Sequence, residues 1–194
     1  MNAENRMGAT EYKRRMSGMR SKFSGQRFED RLEAAFRWYE TNGIMRVRKT
    51  PEPMKPISPK QRDGRFLAIY TKPAQVDFSG TILGGMSIRF EAKETATARF
   101  ERSRLSPEQM DDLEAHEQLG ALCFVLLAFG DDAFYRVPWR VWRDMKEIYG
   151  KVSVRKEDIE EYRIRSDRGM IEILDGITIS DDDDRVRISV NKHD

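Results

Sequence analysis

Two short stretches hold the residues best suited to chemistry: Gln75-Val76-Asp77-Phe78-Ser79 and, after a glycine-containing turn, Arg89-Phe90-Glu91-Ala92-Lys93. Read with period two, Gln75, Asp77 and Ser79 point one way, and Val76 and Phe78 the other. Ser87, Arg89, Glu91 and Lys93 likewise share a face, opposite Met86, Ile88, Phe90 and Ala92. Two neighbouring strands of this kind gather Asp77, Glu91 and Lys93 on one polar surface backed by apolar side chains. Such a group suits metal-assisted phosphodiester hydrolysis. The carboxylates hold a hard divalent cation, and the amine orients water or neutralises charge building on the phosphate. The plain alternatives are a turn-capping role for Asp77 and an exposed ion pair for Glu91 and Lys93. Aspartate is disfavoured within strands, and all three residues fall on one face, so the catalytic reading is the stronger.

The elements that must position these residues can be read around them. A helix over Arg27–Glu40 carries Phe28, Leu32, Phe36 and Tyr39 on one stripe and ends at Asn42-Gly43. A short strand is expected over Ile44–Lys49. Pro51, Pro53, Pro56 and Pro59 then rule out a regular helix or central strand. They suggest a stiff excursion to a turn at Gln61-Arg62-Asp63-Gly64, returning through Arg65–Tyr70. The catalytic strands follow, joined at Gly80–Gly85. Ser106-Pro107-Glu108-Gln109 has the form of a capped helix start, with Gln109 as the reciprocal capping residue. That helix should run to about Leu119 with Met110 and Leu113 inward. Ala121–Phe129 reads as a fully buried strand, Ala133–Val137 as its return, and Pro138 as the start of a helix through Tyr149. In that helix Val141, Trp142, Met145 and Ile148 form the buried stripe. Lys156–Tyr162 reads as a helical turn, and short strands are expected at Met170–Leu174, Ile177–Ser180 and Arg185–Val190. Helices should therefore flank a central mixed sheet.

Composition sets the outer bounds. The chain has 194 residues, enough for one domain, with 35% charged residues and a mean hydropathy of −0.72. One cysteine excludes an internal disulfide, and two histidines make a zinc cluster a poor expectation. No apolar run is long enough to span a membrane, and a cytoplasmic protein is expected. The net charge of +2 is unevenly spread: residues 1–76 carry +9 and residues 77–194 carry −7. Arg46, Arg48, Lys49, Lys55, Lys60, Arg62, Arg65 and Lys72 lie in one 27-residue stretch that holds only two acids. Such a concentration is the footprint of a polyanion-binding element. Residues 1–24, also basic, read as an arm that orders on nucleic acid. Asp181–Asp184 lack the spacing of a calcium loop and read as a solvated turn.

Asp77, thirteen intervening residues and Glu91-Ala92-Lys93 match the Asp…(Asp/Glu)-x-Lys signature of restriction-endonuclease-like nucleases. With Asp77-Phe78-Ser79-Gly80, Phe90-Glu91-Ala92-Lys93-Glu94-Thr95, the Gln109-bearing helix start and Gly120-Ala121-Leu122-Cys123-Phe124-Val125, the chain resembles the RecU family of Holliday junction resolvases. The resemblance runs from about Gly25 to Leu174, and residues 175–194 stand as an extension without a counterpart. It implies a restriction-endonuclease-like α/β fold with a protruding basic stalk at about residues 46–72. It also implies a homodimeric, Mg²⁺- or Mn²⁺-dependent endonuclease that cuts four-way junctions in DNA recombination and repair, and it leaves room for a recombinase partner. By resemblance, Asp77 and Glu91 hold the metal, Lys93 stabilises the transition state or positions the nucleophile, and Gln109 contributes to the metal site. Glu29 stands where related nucleases place an accessory acid. The family usually has threonine where this chain has Gln75, so no ligand role passes to it. Two other readings remain: a nuclease of the same fold acting on flaps, ends or specific duplex sites, and a non-catalytic DNA-binding recombination factor.

Overall fold

In this computed structural model the described residues are 27–51, 53–70, 75–167, 170–182 and 185–190. The expected N-terminal arm and Lys72 lie outside them. A helix (α1) covers residues 27–41 and stops where Gly43 takes φ 68°. Strand β1 is Met45–Lys49. A two-stranded antiparallel ribbon follows, made by β2 (Met54–Pro56) and β3 (Ala68–Tyr70) with Met54 opposite Tyr70. This is the proline-stiffened excursion, and none of its strands joins the main sheet. Then come β4 (Phe78–Ile82), β5 (Ser87–Thr95) and β6 (Arg99–Glu101). After them lie α2 (Pro107–Gln118), β7 (Leu122–Phe129), β8 (Ala133–Pro138), α3 (Trp139–Arg143) and α4 (Met145–Tyr149). The rest is β9 (Ser153–Arg155), two 3₁₀ turns over Lys156–Asp158 and Glu160–Tyr162, β10 (Arg163–Ile164), and two small hairpins. These hairpins pair β11 (Ser166–Asp167) with β12 (Met170–Ile171), and β13 (Ile177–Asp182) with β14 (Arg185–Val190). Asp181 and Asp182 end β13, at the tip of the last hairpin, while Asp183 and Asp184 lie outside the described residues.

The expected architecture is found. Six strands form one mixed sheet in the order β1-β4-β5-β7-β8-β10. The β5–β7 pair is parallel and the others antiparallel. One face packs against α1 through a row of rings: Phe78 stacks on Phe90 (5.1 Å) and Phe90 on Phe124 (4.7 Å), with Phe36 of α1 leaning on Phe78 (5.2 Å). The other face packs against α2 and α3 through Leu113, Val125, Leu127, Val137, Trp139 and Trp142.

Three expectations need correction. The strand that carries Asp77 begins at Phe78, and Asp77 sits at the bend that feeds it. Val76 and Phe78 therefore do not share one core: Val76 is buried on the α2 side and Phe78 on the α1 side. Gly80 belongs inside β4 and not to the turn, because β1 passes so close that a Cβ there would lie 2.1 Å from the carbonyl oxygen of Arg46. The helix expected from Pro138 to Tyr149 is two five-residue helices broken at Asp144. The break rotates Ile148 outward, where it is 52% exposed.

Candidate active site

Asp77 and Glu91 meet just past the last paired position of β4 and β5, where Phe78 faces Phe90. There the backbone of one strand bonds the carboxylate of the other. The Asp77 N–H donates to Glu91 Oε2 (2.9 Å), and the Ala92 N–H donates to Asp77 Oδ2 (3.3 Å). Lys93 Nζ donates to Glu91 Oε1, two residues along the same strand and on the same face. Gln109 Nε2 donates to that oxygen from α2 (2.6 Å). The structure thus brings Asp77, Glu91, Lys93 and Gln109 into one hydrogen-bonded cluster.

Gln109 holds the capping role its position suggested while its side chain also reaches Glu91. Its Oε1 accepts from the Ser106 N–H (3.0 Å), while its own N–H donates to Ser106 Oγ (3.2 Å), closing the capping box. Because the Ser106 N–H can only donate, the amide oxygen must face it, which turns the NH₂ group toward Glu91. A second connection, unseen in the sequence, runs parallel to the first. Arg89 lies one strand repeat before Glu91, and Asp112 lies one helical turn after Gln109. Arg89 Nη1 donates to Asp112 at 3.1 Å, tying α2 to β5 beside the cluster. Arg89 and Asp112 gave no single-residue signal; only the registers of β5 and α2 together would have paired them.

Glu91 is fully buried. Burial first, and then the charge of Asp77, push its carboxyl up from 4.5 to about 7, outweighing the stabilising contacts from Lys93 and the Asp77 N–H. Two carboxylates in a partly closed site thus carry negative charge that the neighbouring donors only partly offset. That donor set fits a hard divalent cation that keeps several waters of its own, such as Mg²⁺ or Mn²⁺. Among the described residues no group of three or more His, Cys, Asp or Glu side chains is placed to hold a metal ion.

The other candidates fall elsewhere. Glu29 stays outside the cluster, on α1, and accepts from Lys49 Nζ at 3.0 Å. Arg46 and Arg48 both reach Glu40, and Arg65 reaches Asp63 in its own turn. Lys55, Lys60, Arg62 and Arg65 are all exposed on the ribbon or its turn. Near them stand Met54, Ile57, Phe66, Leu67 and Ile69, each at least 45% exposed. His116 lies 3.7 Å from Asp112.

The profile of the recombination protein U family (RecU) matches residues 23–179, which include every member of this cluster. The chain belongs to the RecU family. Two RecU relatives are described as Holliday junction resolvase RecU. That of Bacillus subtilis (strain 168) is 28% identical over 162 residues, covering 80% of this chain and 78% of the relative. That of Bacillus pumilus (strain SAFR-032) is 30% identical over 160 residues, covering 77% and 76%. A solved structure of Hjc, a Holliday junction resolvase of Archaeoglobus fulgidus, aligns with a TM-score of 0.42 and 14% identity over 68% of this chain and 91% of that one. The RecU match stops before most of the β13–β14 hairpin.

Proposed function

We propose that this RecU-family chain is a divalent-metal-dependent endodeoxyribonuclease that resolves four-way DNA junctions. The observation that carries the proposal is the buried Glu91 carboxylate, joined to Asp77, Lys93 and Gln109 in a single cluster at the end of the β4–β5 pair. Asp77 and Glu91 would hold the cation, Mg²⁺ or Mn²⁺. When bound, the cation polarises the scissile phosphate and lowers the pKa of an attacking water. Lys93 supplies positive charge beside the site, where negative charge grows on the phosphate oxygens. Gln109, its oxygen engaged by the helix cap, keeps Glu91 in place by donating to it.

The basic ribbon supports the choice of substrate. Lys55, Lys60, Arg62 and Arg65 offer phosphate contacts that orient the protein without reading sequence. Arg46, Arg48 and Lys49, exposed on β1, are further candidates for phosphate contact. One site cuts one strand, so symmetric resolution calls for two sites related by a two-fold axis, and a homodimer follows. No helix among the described residues is long and apolar enough to cross a membrane. Alanine in place of Asp77, Glu91 or Lys93 should abolish junction cleavage while leaving junction binding largely intact. Normal cleavage by all three variants would refute the site.

A further inference from the structure

Thr50 stands immediately after β1, in a position no motif singled out. Along the edge strand β1, Met45 and Val47 are buried on the α1 side and Arg46 and Arg48 alternate with them, their exposed guanidiniums reaching Glu40 of α1. The alternation turns Thr50 away from Val47, toward the sheet face on which Glu91 and Lys93 stand. Its N–H donates to the carbonyl of Asp77 at 2.8 Å, so it is bonded directly to one of the two carboxylate residues. Its Oγ1 is sealed from bulk solvent, yet it has no hydrogen-bond partner among the described residues. A hydroxyl can both donate and accept, and burying one without a partner costs stability that a valine of the same shape would not lose. A buried, unpartnered hydroxyl on a residue bonded through its backbone to Asp77 is accounted for when its partner arrives with the ligand.

We infer that the Thr50 hydroxyl belongs to the cation site. It would accept a hydrogen bond from a water carried by the divalent ion at Asp77 and Glu91, making Thr50 a positioning residue. This rests on the metal reading of that carboxylate pair. A cation that retains several waters needs such acceptors around it, and outer partners of this kind commonly change metal affinity by about 10- to 100-fold.

The test is a calorimetric titration of Mn²⁺ into the full-length protein as wild type, Thr50→Val, Thr50→Ser and Glu91→Gln, with melting curves in EDTA. Thr50→Val should weaken Mn²⁺ binding by about tenfold while melting at or above the wild-type temperature. Thr50→Ser, which keeps the hydroxyl, should bind within about twofold of wild type. Unchanged Mn²⁺ affinity in Thr50→Val would overturn the inference, as would a marked drop in its melting temperature without metal, because the hydroxyl would then have a partner within the chain. The Glu91→Gln arm separates the two layers. If it binds Mn²⁺ as wild type does, or if wild type binds none, the metal reading itself falls and takes the inference with it. If only Thr50→Val matches wild type, the role given to Thr50 alone is lost.

Discussion

Replacing Glu91 by glutamine removes an ionisable carboxyl buried beside a like charge and nearly preserves its shape. Glu91 is fully buried, and its carboxyl is raised from 4.5 to about 7 by burial and by Asp77. A displacement of that size corresponds to at most about 3 kcal/mol. The sign follows from proton linkage. The folded chain holds the Glu91 proton to higher pH than the unfolded chain, so between about pH 4.5 and 7 folding takes up a proton. Stability from this group falls as pH rises, and the loss is complete above about pH 7. Glutamine cannot ionise. It does lose one hydrogen bond, because only one of its two terminal atoms accepts, but that cost is the same at every pH. The stability of Glu91→Gln relative to wild type should therefore rise between pH 5 and pH 8, by up to about 3 kcal/mol. At about 2–4 °C per kcal/mol for a chain of this size, the melting temperatures should move apart by on the order of 10 °C at most. Thermal melts of both proteins in EDTA across that range measure it, and Mg²⁺ at pH 8 should raise the wild-type temperature and not that of the variant. A melting difference that stays flat from pH 5 to pH 8 would refute the picture of a carboxylate buried beside a like charge.

Other outcomes follow from the same geometry. Gly80→Ala puts a Cβ against the backbone of Arg46 and Val47 and should destabilise by about 1–3 kcal/mol or more by forcing β1 off β4. Gly85→Ala meets nothing within 4 Å but keeps φ +89° and should cost about 1–3 kcal/mol through backbone strain alone; denaturant melts compare the two. Asp112→Asn weakens the half-buried pair with Arg89 and should cost roughly 1–2 kcal/mol, between exposed and buried ion pairs; the same melts check this. Removing charge at Lys55, Lys60, Arg62 and Arg65 together should weaken binding to a four-way junction more than to linear duplex and flatten the salt dependence. Equal losses on both DNAs, measured by titration at two salt concentrations, would argue against a structure-selective role for the ribbon.

Much of this site was legible because its signals are local. The period-two alternation of β5 put Glu91 and Lys93 on one face, and the Ser106–Gln109 capping box announced the start of α2. The continuous apolar run of Ala121–Phe129 marked β7 as a fully buried strand. What the sequence concealed depends on contacts between distant segments. Asp77 leaves the regular ladder because its N–H turns to the Glu91 carboxylate, so a strand read through Gln75 and Val76 was too long. Gly80 looked like turn material because nothing in its neighbourhood shows how closely β1 passes. Ile148 was read in phase with Trp142 and Met145, and the break at Asp144 shifts that phase. Arg89, Asp112 and Thr50 carry no motif, and each matters only through a partner on another element.

Digestion of an end-labelled four-way junction by the purified chain, in Mg²⁺ and in EDTA, tests the proposed role of the Asp77–Glu91 cluster most directly. Paired symmetric nicks with Mg²⁺ are expected for wild type, no cleavage in EDTA, and no cleavage by Asp77→Ala or Glu91→Ala despite retained junction binding. Cleavage that persists in EDTA, or in both variants, would contradict a cation held by these two carboxylates.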